Sequence, residues 1–187
     1  SLVLTEQFIQ EPETLQWRMR IINRSDSTLE IGDLLLPLPM NTTYPKNKPE
    51  ETFTRRLFRH SFISGYGSFV FWLPVGGEGP HLVMTPLPGT KLEYFDEARA
   101  DYAVGGSGYQ VYIHSLAQAS ETKGGSWRQK STSVRLTRGA EVTYGFQFHW
   151  ANDYEGVRRV LYDNGCFDVR IAPGMVVPED QVAMVAL

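Results

Sequence analysis

Glu93, Asp96 and Glu97 stand around the aromatic pair Tyr94-Phe95, and carboxylates beside such a platform are what a glycosidase uses to move a proton at a sugar oxygen. Acids this close in sequence reach a working separation only where a particular fold spreads them, so the plainer reading, an ordinary charged strand end in water, is preferred. His60, His81, His114 and His149 are scattered, with no pair at i, i+2 or i, i+4, which is a weak signal for a metal site. Each reads as a strand histidine on a wet or partly satisfied face. There is no Gly-x-Ser-x-Gly elbow and no phosphate-cradling glycine loop, and Gly105-Gly106-Ser107-Gly108 is merely flexible. No catalytic residue, metal ligand or cofactor is assigned.

Aromatic residues make up 12% of the chain, and several flank the loops between strands: Tyr44, Tyr66, Tyr94, Phe95, Tyr102 and Trp127. Exposed Trp and Tyr rings stack on the apolar faces of sugars while neighbouring polar groups take the hydroxyls. Trp127-Arg128, set between Gly124-Gly125-Ser126 and Gln129, is the best contact outside the core, and Trp127, Arg128, Tyr94 and Tyr66 are the ligand-binding candidates. Trp17, Phe69, Phe71, Phe146 and Phe148 are assigned to the core. The triplets Asn23-Arg24-Ser25 and Asn41-Thr42-Thr43 match the glycan-acceptor pattern, in a turn and a loop. Cys166 is the one cysteine; it allows no intrachain disulfide and reads as a small buried side chain.

The elements that must position these residues are strands. Leu15, Trp17, Met19 and Ile21 alternate with Gln16, Arg18 and Arg20, so an extended backbone sends the apolar set to one face. The polar run Asn23 to Ser27 then turns the chain, and Leu29 to Leu38 returns as the expected partner in a long hairpin. Further strands are expected at Leu2 to Gln10, Thr54 to Ser64, Ser68 to Leu73, His81 to Thr85 with Lys91 to Phe95 as a meander, and Tyr109 to His114. The sequence 137–140 predicts a hairpin turn between Ser133 to Leu136 and Glu141 to Trp150, where Val142, Tyr144, Phe146, Phe148 and Trp150 share a parity in a central strand. Asn152 or Asp153 can cap one helix running to about Asp163, with Gly165 as its terminator. Phe167 to Ile171 and Gln181 to Leu187 complete about ten strands. Residues 40–52, 96–108 and 115–125 read as long loops.

At 187 residues, 42% hydrophobic and 21% charged, the chain is sized and composed as one globular β domain, expected over 1–187. Its 18 basic and 21 acidic residues give a formal charge of -3, so no summed field attracts nucleic acid or an anionic membrane. No run of apolar residues reaches the roughly 18 that a spanning helix needs. The chain opens at Ser1-Leu2-Val3-Leu4 already in strand pattern and ends on an apolar run, and so reads as a domain excised from a longer multidomain protein.

The stretches LQWRMRIINRSDSTLEIGDLLLPLPMNT, LVMTPLPGTKLEYFDE, GSWRQKSTSVRL and VTYGFQFHWANDYEGVRRVLYDNGCFDVRIAPGMVVP resemble a bacterial and fungal family of domains of unknown function, DUF5695-like, found in proteins that look like six-hairpin glycosidases. The segments Trp-Arg-Gln at 127–129 and Asp-Tyr-Glu-Gly-Val-Arg at 153–158 carry the more particular part of the likeness. The resemblance implies an all-β, two-sheet antiparallel sandwich of the supersandwich, galactose mutarotase-like kind, with one short helix near 153–164. It further implies a domain packed beside a helical (α/α)6 toroid of the same chain that carries the catalytic acids, in a secreted or periplasmic glycoside hydrolase. This chain has no run of amphipathic helices, so no catalytic residue is carried over. The expectation is an accessory β-sandwich domain of a carbohydrate-active enzyme, not catalytic by itself, which contributes to binding a poly- or oligosaccharide. Alternatives are an independent carbohydrate-binding module and a stand-alone sugar isomerase or hydrolase using Glu93 or Asp96.

Overall fold

The computed structural model describes residues 1–38, 40, 56–96, 109–122, 129–167, 170–172 and 177–186, and within them the chain is a layered antiparallel β sandwich. The strands are β1 (Leu2–Gln10), β2 (Thr14–Asn23), β3 (Leu29–Ile31), β4 (Asp33–Pro37), β5 (Leu57–Phe62), β6 (Phe69–Pro74), β7 (His81–Pro86), β8 (Tyr94–Asp96), β9 (Gln110–Ser115), β10 (Val134–Leu136), β11 (Glu141–Ala151), β12 (Arg170–Ala172) and β13 (Met184–Ala186). Among the described residues two helices join them, α1 (Leu116–Glu121) and α2 (Tyr154–Asp163). Six strands form the main sheet in the order β1-β2-β11-β7-β6-β5, three form a facing sheet, β4-β9-β8, and β3-β10 and β12-β13 are short two-stranded ladders.

The core lies between the six-stranded and three-stranded sheets. Met19, Ile21, Val70, Trp72, Met84, Tyr144 and Phe146 of the large sheet share one cluster with Leu36, Val111 and Ile113 of the small one and with the loop residue Leu92. Each such side chain contributes about 1.5–3 kcal/mol by leaving water. A second cluster covers the opposite face, where Val157 and Leu161 of α2 meet Phe69, Phe71, Leu73 and Val83. This explains why β6 reads as an unbroken apolar run: it is covered on both faces. Helix α2 begins where expected, with the Asp153 carboxylate accepting from Gly156 N at 2.7 Å, and the chain leaves it through Gly165 at a φ of 67°.

Several expected pairings change partners. The hairpin over 14–39 does not form: β2 pairs with β1 and β11, β3 with β10, and β4 with β9. Asn23 makes the exchange. It is fully buried, its amide donates to Ser27 O at 2.7 Å and Leu136 O at 2.8 Å, and its Oδ1 accepts from Ser25 N and Oγ, fixing a turn that lifts the chain off the main sheet. With no free amide, Asn23 offers no glycan attachment in the folded chain. The meander expected across Pro86 to Gly89 is instead a crossover, because β6 and β11 already occupy both edges of β7. Thr90 Oγ1 then accepts from Gly145 N at 2.8 Å and pins the crossing to β11. Likewise β10 and β11 do not form a hairpin, and the turn at Gly139 (φ 75°) changes sheets.

The segment after Ser115, expected as loop, opens with α1. Its free N–H groups are satisfied from another strand, as Asp33 accepts from Ala117 N and Gln118 N at 3.0 and 3.1 Å. Strand β11 is central, as its length predicts. The loops expected over 41–52 and 97–108, and Trp127 and Arg128, lie outside the described residues.

Candidate functional site

Two regions gather chemistry-bearing side chains: a buried polar cluster between the sheets and an open aromatic cleft at one end of them.

The buried cluster is centred on Glu93, which the sequence reading places in water and which is 3% exposed. Just ahead of β8 its carboxylate faces β9 and the strand entry into β10. Oε2 accepts from Ser115 N at 3.1 Å, Ser115 Oγ at 3.0 Å and Thr132 N at 2.8 Å. Oε1 accepts from the Thr132 hydroxyl and lies 3.1 Å from Lys91 Nζ. Since the Thr132 proton goes to the carboxylate, Thr132 Oγ1 receives the Nδ1 proton of His114 at 2.8 Å. His114 Nε2 is then left to accept from Tyr144 Oη at 2.6 Å. A directed chain therefore runs from Tyr144 on β11 through His114 on β9 and Thr132 to Glu93. Burial lowers the His114 pKa, with Glu93 opposing and Lys91 reinforcing that shift, and burial together with the Glu93 charge pushes the Tyr144 hydroxyl up to about 12.

This constellation has the residue types of a catalytic site, and its carboxylate and imidazole are fully engaged with neighbouring protein groups. The carboxylate takes five donors, both His114 nitrogens are bonded, and Glu93, His114, Tyr144 and Ser115 are all buried. The arrangement ties the segment before β8 to β9, β11 and the entry to β10. Of the four histidines expected on wet or partly satisfied faces, His60 and His149 are half-buried, each with one ring nitrogen unpartnered, and the other two lie deeper. His81 and His114 are buried, and burial lowers the pKa of His60, His81, His114 and His149 alike. Among the described residues no three His, Cys, Asp or Glu side chains form a metal-binding group.

The cleft is built differently. In the β1–β2 ladder Leu2, Leu4, Glu6 and Phe8 stand opposite Asn23, Ile21, Met19 and Trp17, so they share the inner face of the main sheet. Three strands cannot cover six. Met19 and Ile21 are buried under the facing sheet, whereas Leu2, Leu4 and Phe8 lie beyond its rim and stay exposed, Phe8 by 60%. The same happens at the far end of β11, where Trp150 shares the parity of Phe146 and Phe148 but is 61% exposed, against the core position its parity predicts. The result is a cleft of about 550 Å³ whose floor and walls include Phe8, Trp17, Phe148, Trp150 and Leu82, with Leu38 from the opposing layer.

Local contacts hold this surface. Phe8 stacks on Trp17 with centroids 5.8 Å apart and planes 15° from parallel, and Trp17 rests on Phe146 at 6.4 Å. The indole of Trp17 donates to Glu6 Oε1 at 3.2 Å, which fixes its plane. At the mouth, the β1–β2 turn is closed by Glu11 N donating to Thr14 O at 2.9 Å and Thr14 Oγ1 donating to Glu11 Oε2 at 3.1 Å. Glu11, Glu13 and Gln10 supply the polar rim. The volume falls in the range of small-ligand sites, and the pairing of open ring faces with a few polar groups suits an amphipathic ligand.

Of the binding residues expected from sequence, Tyr66 is 67% exposed beside a hollow of about 300 Å³ formed with Pro86, Leu87, Pro88 and Asn164. Tyr94 is half-buried against Phe95 and Tyr112. Both flank the Gly65–Leu92 bridge, and neither lines the cleft. Gln129, which follows Arg128, donates to Ser64 Oγ at 3.3 Å near the same bridge. The cleft residues Phe8, Trp17 and Trp150 were not among the sequence candidates. The available signal was aromatic residues at strand ends on the inward parity, where a sandwich runs out of cover.

The sequence matches, over residues 1–187, a family described as "Family of unknown function (DUF5695)". No curated protein matches it. Among solved structures the fold is similar to a polysaccharide lyase at 13% identity and a TM-score of 0.61, over 91% of this chain. The chain spans 23% of that lyase's length. At this identity the likeness is one of fold.

Proposed function

The chain belongs to the family of unknown function DUF5695, and from that premise and the open cleft we propose that it is an accessory β-sandwich domain of a carbohydrate-active enzyme, which holds a glycan strand without cleaving it. One observation carries this reading: Phe8 and Trp150, of inward parity, keep most of their ring surface in solvent on the two sides of a cleft. Isolated exposed aromatics are common, but a concave set with a polar rim is a binding surface. The fold it shares with part of a polysaccharide lyase supports the sugar context, and the saturated Glu93 cluster supports a role without chemistry of its own.

In the full enzyme this domain packs beside a helical toroid of the same chain, outside the cell or in the periplasm, and the toroid supplies the catalytic acids. The exposed inner-face residues Leu2 and Leu4 are the natural seat for that packing. A second glycan surface around Tyr66, Tyr94, Trp127 and Arg128 is favoured by the hollow beside Tyr66.

Calorimetric titration of the protein with a panel of soluble polysaccharides tests the proposal. Binding is expected for at least one glycan, weakened at least tenfold by Trp150→Ala and by a smaller factor by Tyr66→Ala, with no new reducing ends after long incubation. The reverse sensitivity would move the site to Tyr66. Absence of heat with every glycan, or steady depolymerisation by this chain alone, would remove the reading.

A further inference from the structure

The lining of the cleft has one sign of charge. Among the described residues it carries the carboxylates of Glu11 and Glu13 and no Lys, Arg or His. Glu6 stands just behind, bonded to the Trp17 indole. The cations of β2 are on the other face of the sheet: Arg18 and Arg20 alternate with Trp17 and Met19, and each has an outer-face partner, Arg18 donating to Gln16 Oε1 at 3.0 Å and Arg20 pairing with Glu141. Strand alternation therefore separates the charges, leaving the aromatic side acidic.

Resting on the glycan-binding reading above, we infer that the cleft selects glycans free of carboxylate and sulfate groups, neutral chains foremost, and rejects uronate-rich polysaccharides. A carboxylate is an acceptor only, with sites for several donors, and the hydroxyl groups of a neutral sugar are donors that match it. The ring faces of Phe8 and Trp150 take the C–H faces of the same sugar. A uronate presents a second negative charge to Glu11 and Glu13 with no cation between them among the described lining residues, so its entry is opposed at the rim. An apolar helix would fill the aromatic floor but leave these two carboxylates unused, which is why a hydroxyl-rich occupant is favoured.

The test compares oligomers of matched length: neutral glucan, xylan and mannan fragments against polygalacturonate and alginate fragments, at low and at high salt. Neutral oligomers should bind at least tenfold more tightly than uronates at low ionic strength. The gap should narrow as salt screens the rim, and narrow further in the double variant Glu11→Gln, Glu13→Gln. Far-ultraviolet circular dichroism and thermal melting confirm that the double variant is folded. Uronate binding equal to or tighter than neutral binding, or a preference untouched by the double variant in a folded protein, would overturn the selectivity while leaving the glycan site standing. Failure of every oligomer to bind removes the site itself and the selectivity with it.

Discussion

The Glu93 cluster and the Phe8–Trp150 cleft share strand β11, yet they end in opposite states. In the cluster five donors converge on one carboxylate, and Tyr144, His114 and Thr132 are linked so that each proton has one destination. In the cleft Trp17 is fixed by Glu6 and Phe8, but the outermost rings have one face against protein and the other in solvent. Bonds that are all satisfied hold a fold, and surfaces left half-satisfied hold a ligand. The residues whose types look most chemical, Glu93 and His114, are here the ones most fully bonded to their own fold.

That contrast is broken most directly at Glu93. Glu93→Gln removes the charge facing Lys91 and replaces an acceptor by a donor amid Ser115 and Thr132, so groups arranged for a carboxylate are left mismatched. Breaking a buried pair from one side costs about 3–5 kcal/mol, and the partial exposure of Lys91 puts the expectation near the lower figure. Urea unfolding followed by tryptophan fluorescence measures it. A loss below about 1 kcal/mol would mean the cluster is no clamp. Glycan affinity of whatever fraction stays folded should be unchanged.

A smaller effect follows from the histidines. His60, His81, His114 and His149 all have folded pKa values held below the ordinary imidazole value by burial, with Asp153 opposing the shift at His81. In the unfolded chain they protonate near 6.5. As pH falls through that value the unfolded state gains protons that the folded state refuses, so the stability present above pH 6.5 is lost progressively as pH drops toward the depressed folded values. The loss grows between pH 7 and pH 5, and thermal melting across that range measures it. The cleft lining holds no histidine among the described residues, so glycan affinity between pH 7 and 6 should stay flat while stability declines. Parallel decline of both would join regions that the geometry separates.

How much of this was legible depends on the range of the interaction. The alternation in Trp17 to Ile21, the length of β11 and the Asp153 and Gly165 signals around α2 act over a few residues and were read directly. Pairing was not, because choice of strand partner is settled by residues far apart. Asn23 caps a turn visible in its own neighbourhood, but its bond to Leu136 O, 113 positions away, is what sends β3 to β10. Asp33 likewise starts α1 from 84 positions away. The cleft was hidden for a related reason. Parity says which face of a sheet Trp150 occupies and nothing about whether the facing sheet reaches that far.

The smallest expected effect on stability belongs to the residue with the largest expected effect on binding. Trp150→Ala removes a large ring, but 61% of that residue already faces water, so little burial is lost. What goes is contact with the cleft floor around Leu82 and Phe148, and the cost should be about 0.5–1 kcal/mol, far below the 3–5 kcal/mol for emptying a core aromatic site. Phe146→Ala, at a fully buried position two turns of the alternation away on the same face, provides the contrast within one strand. If the two substitutions destabilise equally, Trp150 is a core residue and the aromatic end of the sandwich is closed in solution. If Trp150→Ala melts within a few degrees of the parent while Phe146→Ala falls far below it, the ring is held out at no structural need, and binding is what remains to explain its place.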